Sequence, residues 1–188
     1  MPYLLNAAAF LIQTVFDFLI GVFLVRAMLI AVSAAFYDPI CQFVYKLTNP
    51  LVAPIRRFLP RVGKIETASL AIAVALALVE SILFAAMAGL SHGPLGWLLG
   101  AVASVLGIAV WIAFWALLIR AVLSFFTNEH QHPNMRVLVQ ITEPIVRPFR
   151  RLLPQLGGLD FSFLAASVAL VLVRLLVIAP LADLAARL

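Results

Sequence analysis

The sequence predicts an all-α membrane protein. It has four transmembrane helices, arranged as two tandem copies of a helix–amphipathic basic loop–helix unit inserted in the same orientation. Three observations predict this. Of the 188 residues, 65% are hydrophobic and 11% charged, with a mean hydropathy of +1.14. A soluble domain carries about 25% charged residues, and no soluble core of this size buries so much apolar surface. Second, the apolar residues fall into four stretches of spanning length. Third, the sequence repeats on itself at an offset of 94 residues without a gap.

The stretches run roughly over 7–36, 67–90, 95–126 and 161–181, each reaching the ~20 apolar residues that a span needs. Their apolar positions go all round the helix, and the alternation of a membrane β-barrel is absent. The first stretch lacks a basic leading region and outruns the ~7–15 residues of a signal-peptide core, so it is expected to stay as a span. Cys41 is the single cysteine, which excludes an intrachain disulfide.

The repeat is read most clearly between the spans. Thr48 to Pro60 (TNPLVAPIRRFLP) lies on Thr142 to Pro154 (TEPIVRPFRRLLP), Pro39 on Pro133, Gly63 on Gly157 and Arg26 on Arg120. The units are 1–94 with its interfacial loop at 38–66, and 95–188 with its loop at 127–160. Each unit holds an even number of spans, so the copies insert the same way round, related by an axis along the membrane normal.

Orientation follows from the loops. Lys46, Arg56, Arg57, Arg61 and Lys64 lie in the first, and Arg136, Arg147, Arg150 and Arg151 in the second. The short Ser91–Pro94 connection has no Lys or Arg, and the tails hold only Arg187. The positive-inside rule places both basic loops in the cytoplasm and both termini outside.

Each loop is amphipathic. Ile145, Val146, Phe149, Leu152 and Leu153 share one helical face, with Arg147, Arg150 and Arg151 opposite; Leu51, Val52, Ile55, Phe58 and Leu59 against Arg56 and Arg57 read the same way. The spacing predicts two short interfacial helices per loop, the second capped by Thr48 or Thr142, with Pro50/Pro54 and Pro144/Pro148 in its first turn. Arg56, Arg57, Arg147, Arg150 and Arg151 are the candidate docking residues. The expected partners are anionic membrane lipid, worth about 1 kcal/mol per basic residue near the surface, and membrane proteins or a second copy of the chain.

Five charges sit inside the spans: Asp17, Arg26, Glu80, Arg120 and Arg174. A charge at a helix centre costs about 2.5–3.5 kcal/mol on insertion scales. Arg26 and Arg120 are repeat-equivalent and near the cytoplasmic ends, where an arginine snorkels. Glu80 and Arg174 are also equivalent and opposite in charge. Asp17, nine residues from Arg26 or about 13 Å along a helix, reaches a similar depth. The expectation is one network of Asp17, Glu80 and Arg174, neutralising itself or, in the alternative, lining an ion path.

Gly96, Gly100 and Ser104, and Ala165 with Ala169, have the spacing of helix-contact faces. Glu129-His130-Gln131-His132 has no histidine counterpart in the first unit and no residues to complete a metal shell. With no nucleophile–base pair, Walker loop or dinucleotide fingerprint, the sequence predicts neither an enzyme nor a cofactor or metal site, and no nucleic-acid partner.

The run Thr142 to Pro154, followed by Gly157-Gly158-Leu159-Asp160-Phe161-Ser162 and preceded by Arg120 to Ser124, resembles the signature of the YggT family. The resemblance covers both halves. The first copy departs where Ala53 stands for the first arginine and Lys64 to Thr67 for the Gly-Leu-Asp-Phe stretch. The resemblance implies a bacterial inner-membrane protein, with family links to osmotic or ionic stress tolerance in bacteria and to organelle division and cofactor maturation in plastids. Two functions are carried forward: a non-enzymatic membrane scaffold or assembly factor, and a small ion or osmolyte permeation protein using the buried charges.

Overall fold

A computed structural model describes residues 2–34, 38–88, 93–126, 133–152 and 161–188. Phe36, Leu90, the histidine-containing run 129–132 and the stretch 153–160, with Pro154, Gly157 and Asp160, lie outside them. Helices α1 (Pro2–Ala31), α2 (Pro39–Ile55), α3 (Thr67–Ala88), α4 (Pro94–Phe126), α5 (Pro133–Leu152), α6 (Ser162–Val173) and α7 (Ala179–Arg187) follow in order. A π-helical turn, Arg174–Ile178, joins α6 to α7. Among the described residues, the one β-type pairing is the isolated bridge between Val62 and Ile65.

Among the described residues, four helical stretches are long and apolar enough to cross a membrane: Asn6–Ala31, Thr67–Met87, Pro94–Ser124 and Ser162–Arg187. The fourth runs past the predicted end at Leu181. Pro180 has no N–H and its ring crowds the preceding turn. The wider π turn just before it, where the Ala179 N–H donates to the Arg174 carbonyl, absorbs the misfit and lets the helix continue.

α1 packs on α3 and, less extensively, on α4; α3 packs on α4, and α4 on α6 and α7. Small residues bring the backbones close, since association inside lipid rests on close packing rather than on hydrophobicity. Ala68, Ala73 and Ala77 of α3 are buried with Ile20, Phe23 and Leu24 of α1 and with Ala101 and Val105 of α4. A Cβ on Gly100 would meet the Ala185 methyl group at 3.8 Å, and one on Gly107 would meet Ile178 at 3.8 Å. The small face of α4 therefore meets the fourth span.

Between the spans, the two short helices predicted for each loop are one continuous helix. Asp38 caps α2, accepting from the Ile40 N–H at 2.9 Å, with Pro39 in the first turn. Pro50 and Pro54, and Pro144 and Pro148, lie inside α2 and α5. The first-turn placement and the threonine caps are thus corrected. The true helix start is the proline aligned at 39 and 133. α2 buries Cys41, Val44, Thr48 and Val52, while Phe43, Leu47 and Leu51 on the adjoining face stay exposed. One face meets the bundle and the next is left for lipid.

Beyond α2, the chain turns back through Val62 to Ile65, whose backbone groups pair at 3.2 and 3.0 Å. Gly63 takes φ +60 there, which glycine adopts without the Cβ clash of other residues. The turn delivers Glu66 to the base of α3.

Candidate functional site

The base of each unit holds a buried arginine tied to its basic helix. In the first unit Arg26 of α1 is 1% exposed and Glu66 is 0% exposed. Arg26 Nε donates to Glu66 Oε2 at 2.8 Å and Nη2 to Oε1 at 3.3 Å, a forked pair. Arg26 Nη1 donates to Thr48 Oγ1 at 2.7 Å, and that hydroxyl donates to the Val44 carbonyl at 2.6 Å. A threonine in mid-helix usually spends its hydroxyl on the carbonyl four residues back. Here the remaining lone pair also receives the arginine. The Tyr45 ring lies 4.8 Å from the guanidinium. Ser69 Oγ donates to Glu66 at 2.6 Å, and Arg56 pairs with the same carboxylate. Burial pushes the Glu66 carboxyl up, but hydrogen bonds from Arg26, Ser69 and Arg56 outweigh it and bring the pKa down to about 2.

The second unit repeats the plan, with an acid that reaches the arginine from the basic helix. Arg120 of α4, also 1% exposed, donates to Thr142 Oγ1 at 2.9 Å and pairs with Glu143 Oε2 at 3.0 Å. The Thr142 hydroxyl donates to the Leu138 carbonyl at 2.7 Å. Arg150, the counterpart of Arg56, pairs with the other Glu143 oxygen at 3.0 Å. Arg120 and Arg150 both sit over the Phe163 ring, at 5.1 and 5.9 Å. Glu143 aligns with Asn49, and Glu66 aligns with Asp160.

Two expectations change here. Arg26 and Arg120 do not snorkel: a guanidinium with a carboxylate and a hydroxyl in place has no need of the interface. The five docking arginines also divide. Arg56 and Arg150 turn toward the acids, while Arg57, Arg147 and Arg151 are exposed. Glu66 and Glu143 were missed as partners. The available signal was that a buried arginine requires an acid at its own depth, and Glu66 immediately precedes a span.

The expected Asp17–Glu80–Arg174 network does not form. Ion pairs between described residues lie in the two clusters above. Glu80 is 8% exposed, and the charge bearing on it is that of Asp17. Arg174 is exposed and stacks 4.7 Å over the Trp111 ring. The reason is the repeat itself: Trp111 aligns with Asp17 and Arg174 with Glu80. Each second-span residue meets its own unit's first span, so equal depth does not bring 80 and 174 together. Glu80→Gln and Arg174→Gln are accordingly expected to change unfolding stability additively, within about 0.5 kcal/mol. Arg174→Gln and Trp111→Leu are expected to couple by about 0.5–2 kcal/mol. Double-mutant cycles in detergent micelles measure both.

An open groove of about 530 Å³ lies between α1, α4 and α5, lined by Val25, Leu29, Trp111, Trp115 and Ile141, with Asp17 the one charged group along it among the described residues. Such a lining suits a lipid chain better than a column of water.

The CCB3/YggT family model matches the chain twice, over residues 5–87 and 99–181, so the two matches begin 94 residues apart. The chain is 38% identical over 159 residues to the uncharacterized protein YggT of Escherichia coli, covering 84% of this chain and 82% of that one. It is 38% identical over 179 residues to an uncharacterized protein of Pseudomonas aeruginosa, covering 94% and 91%. An uncharacterized Vibrio alginolyticus protein is 37% identical over 170 residues, covering 88% and 90%. No solved structure matches the chain. With four membrane-crossing helices, an internal repeat at the same offset as the two matches, and relatives covered over most of their length, the chain belongs to the CCB3/YggT family.

Proposed function

We propose that this protein is a non-enzymatic scaffold or assembly factor of the bacterial inner (plasma) membrane, which supports envelope and osmotic-stress homeostasis. Its two basic helices face the cytoplasm and engage anionic lipid and membrane-protein partners. One observation carries this reading. Each basic helix is tied to its span by a buried arginine and threonine, and Arg57, Arg147 and Arg151 remain exposed on the tied helices. Cations fixed on a rigid element bind an anionic surface without first losing the freedom of a loop. The basic residues between the spans support the cytoplasmic side.

The permeation alternative has less support. Arg174 lies apart from Glu80, and the groove that reaches Asp17 is apolar.

The test is Arg147→Glu with Arg151→Glu, which spares the Glu143 contacts of Arg120 and Arg150. The protein is purified from bilayers of mixed phosphatidylglycerol and phosphatidylethanolamine, and the retained lipid is counted by native mass spectrometry. At about 1 kcal/mol per basic residue, the variant is expected to lose its phosphatidylglycerol preference by at least tenfold and to fail in a deletion strain under osmotic stress. A cysteine at position 151, with Cys41 replaced, is expected to react with an impermeant thiol reagent only from the cytoplasmic side. A normally inserted variant that keeps its lipid preference and restores stress tolerance would remove the basis of the proposal.

A further inference from the structure

The two units meet through unlike surfaces. The second span of the first unit, α3, packs on the first span of the second unit, α4. On α4 the face turned to the first unit includes Ala101 and Val105, in the core shared with α3 and α1, with Ile108, Ala109 and Ile112 packed against it, Ile112 beside Gly21 of α1. On α3, Leu70, Val74, Ala77 and Leu78 belong to the same packing. Among the described residues, α1 and α6 share no packed interface that would close the pair into a symmetric dimer of units. The contact is therefore head to tail, and it leaves one surface of each kind unused.

The repeat identifies those surfaces. The α4 face maps at the 94-residue offset onto Ala7, Leu11, Thr14, Val15 and Phe18 of α1. All are exposed, with Leu11 at 63% and Phe18 at 66%. The α3 face maps onto Leu164, Val168, Val171 and Leu172 of α6, and these are exposed too. The segments match closely, Leu70 to Val79 and Leu164 to Val173 being identical at seven of ten positions. In each unit the second span packs on the first, α3 on α1 and α6 on α4. Each chain thus carries at its two ends the two halves of an interface it already makes once at its centre.

We propose that copies of this chain associate head to tail in the membrane, the outer face of α6 on one copy packing against the outer face of α1 on the next. The inter-chain contact repeats the α3–α4 contact, and the spans then continue as a series of like units. The partner is a second copy because the α6 segment repeats the α3 segment at seven of ten positions, while the α1 face keeps the position of the α4 face, with Ala7 its one identity of five.

Cysteine bridging in native membranes tests this, using the full chain with Cys41→Ala. Leu11, Val15 and Phe18 are replaced singly by cysteine in one tagged copy, and Leu164, Val168 and Val171 in a second, differently tagged copy. Leu11 and Val171 are the counterparts of Val105 and Ala77, each eleven residues from the outer ends of α4 and α3, so they share a depth. After oxidation, co-expressed Leu11→Cys and Val171→Cys copies are expected to form a covalent dimer carrying both tags. Neither variant bridges to itself, and a chain carrying both cysteines gives a ladder of multimers. Failure of every pairing to bridge, with single copies counted in lipid nanodiscs, overturns the proposal and leaves lipid on both faces. Bridging of Leu11→Cys to itself overturns it equally, because that interface is symmetric.

Discussion

Arg26→Met is expected to lower the unfolding stability of the detergent-solubilised protein by about 3–5 kcal/mol, and Arg26→Met with Glu66→Met to cost clearly less. The single change leaves Glu66 at 0% exposure without its forked partner. It also leaves Thr48 without the donor that joins α2 to α1. Arg56 still reaches the Glu66 carboxylate, but its side chain is 44% exposed, so water weakens what it offers. Removing both charges takes away the desolvated ion as well as its partner, and two flexible apolar chains fill similar space. The same carboxylate gives a pH signature. Its pKa in the folded protein is about 2, below the ordinary 4.5, so the unfolded chain takes up the proton first. The stability from Glu66 is fully present above about pH 4.5 and is lost as pH falls toward 2. Thermal melts across that interval are expected to show an acid-dependent loss in the wild type that is smaller in the double variant. Equal loss in both, or a single variant as stable as the wild type, would mean that the Arg26–Glu66 pair does not hold the base of the unit.

The spans and the repeat were legible in the sequence because each rests on a property carried by many residues at once. Lipid demands apolar side chains all round a helix, and a repeated run of prolines and arginines is hard to mistake. The helix start at Asp38 and Pro39 was also written there, since the proline recurs at 133. Thr48 and Thr142 were misassigned because a threonine before a proline suits a cap by local chemistry, and nothing local reveals an arginine arriving from another span. The tie between Arg26 and Glu66 joins residues 40 apart in sequence, at a depth set by the fold of the loop. Glu80 and Arg174 show the opposite difficulty. Their equivalence was read correctly, but contact depends on which span each faces, and both face the first span of their own unit.

Among the described residues, the acid of the second cluster comes from the basic helix, and that position gives a prediction with a large effect. Glu66→Met alone leaves Arg26 buried and without its carboxylate, at an expected cost of about 3–5 kcal/mol. In the second unit an acid is supplied from the residue after the threonine: Glu143 reaches Arg120 at 3.0 Å and Arg150 at 3.0 Å. The matching position in the first unit is Asn49, directly after Thr48, and it is exposed. Arg26 and Arg56 stand where Arg120 and Arg150 stand. Asn49→Glu on the Glu66→Met background is therefore expected to recover at least half of the lost stability, with a carboxylate bridging the same two arginines from α2 instead of from the base of α3. Asn49→Glu in the wild type is expected to change little, since Arg26 already holds Glu66. The readout is the unfolding midpoint of the four proteins in one detergent. Recovery would show that the arginine and threonine form the repeated element and that the acid is interchangeable between two positions. With no recovery, the α1–α2 and α4–α5 pairs do not present their arginines alike, and Glu66 acts through its place at the base of α3 rather than through its charge alone.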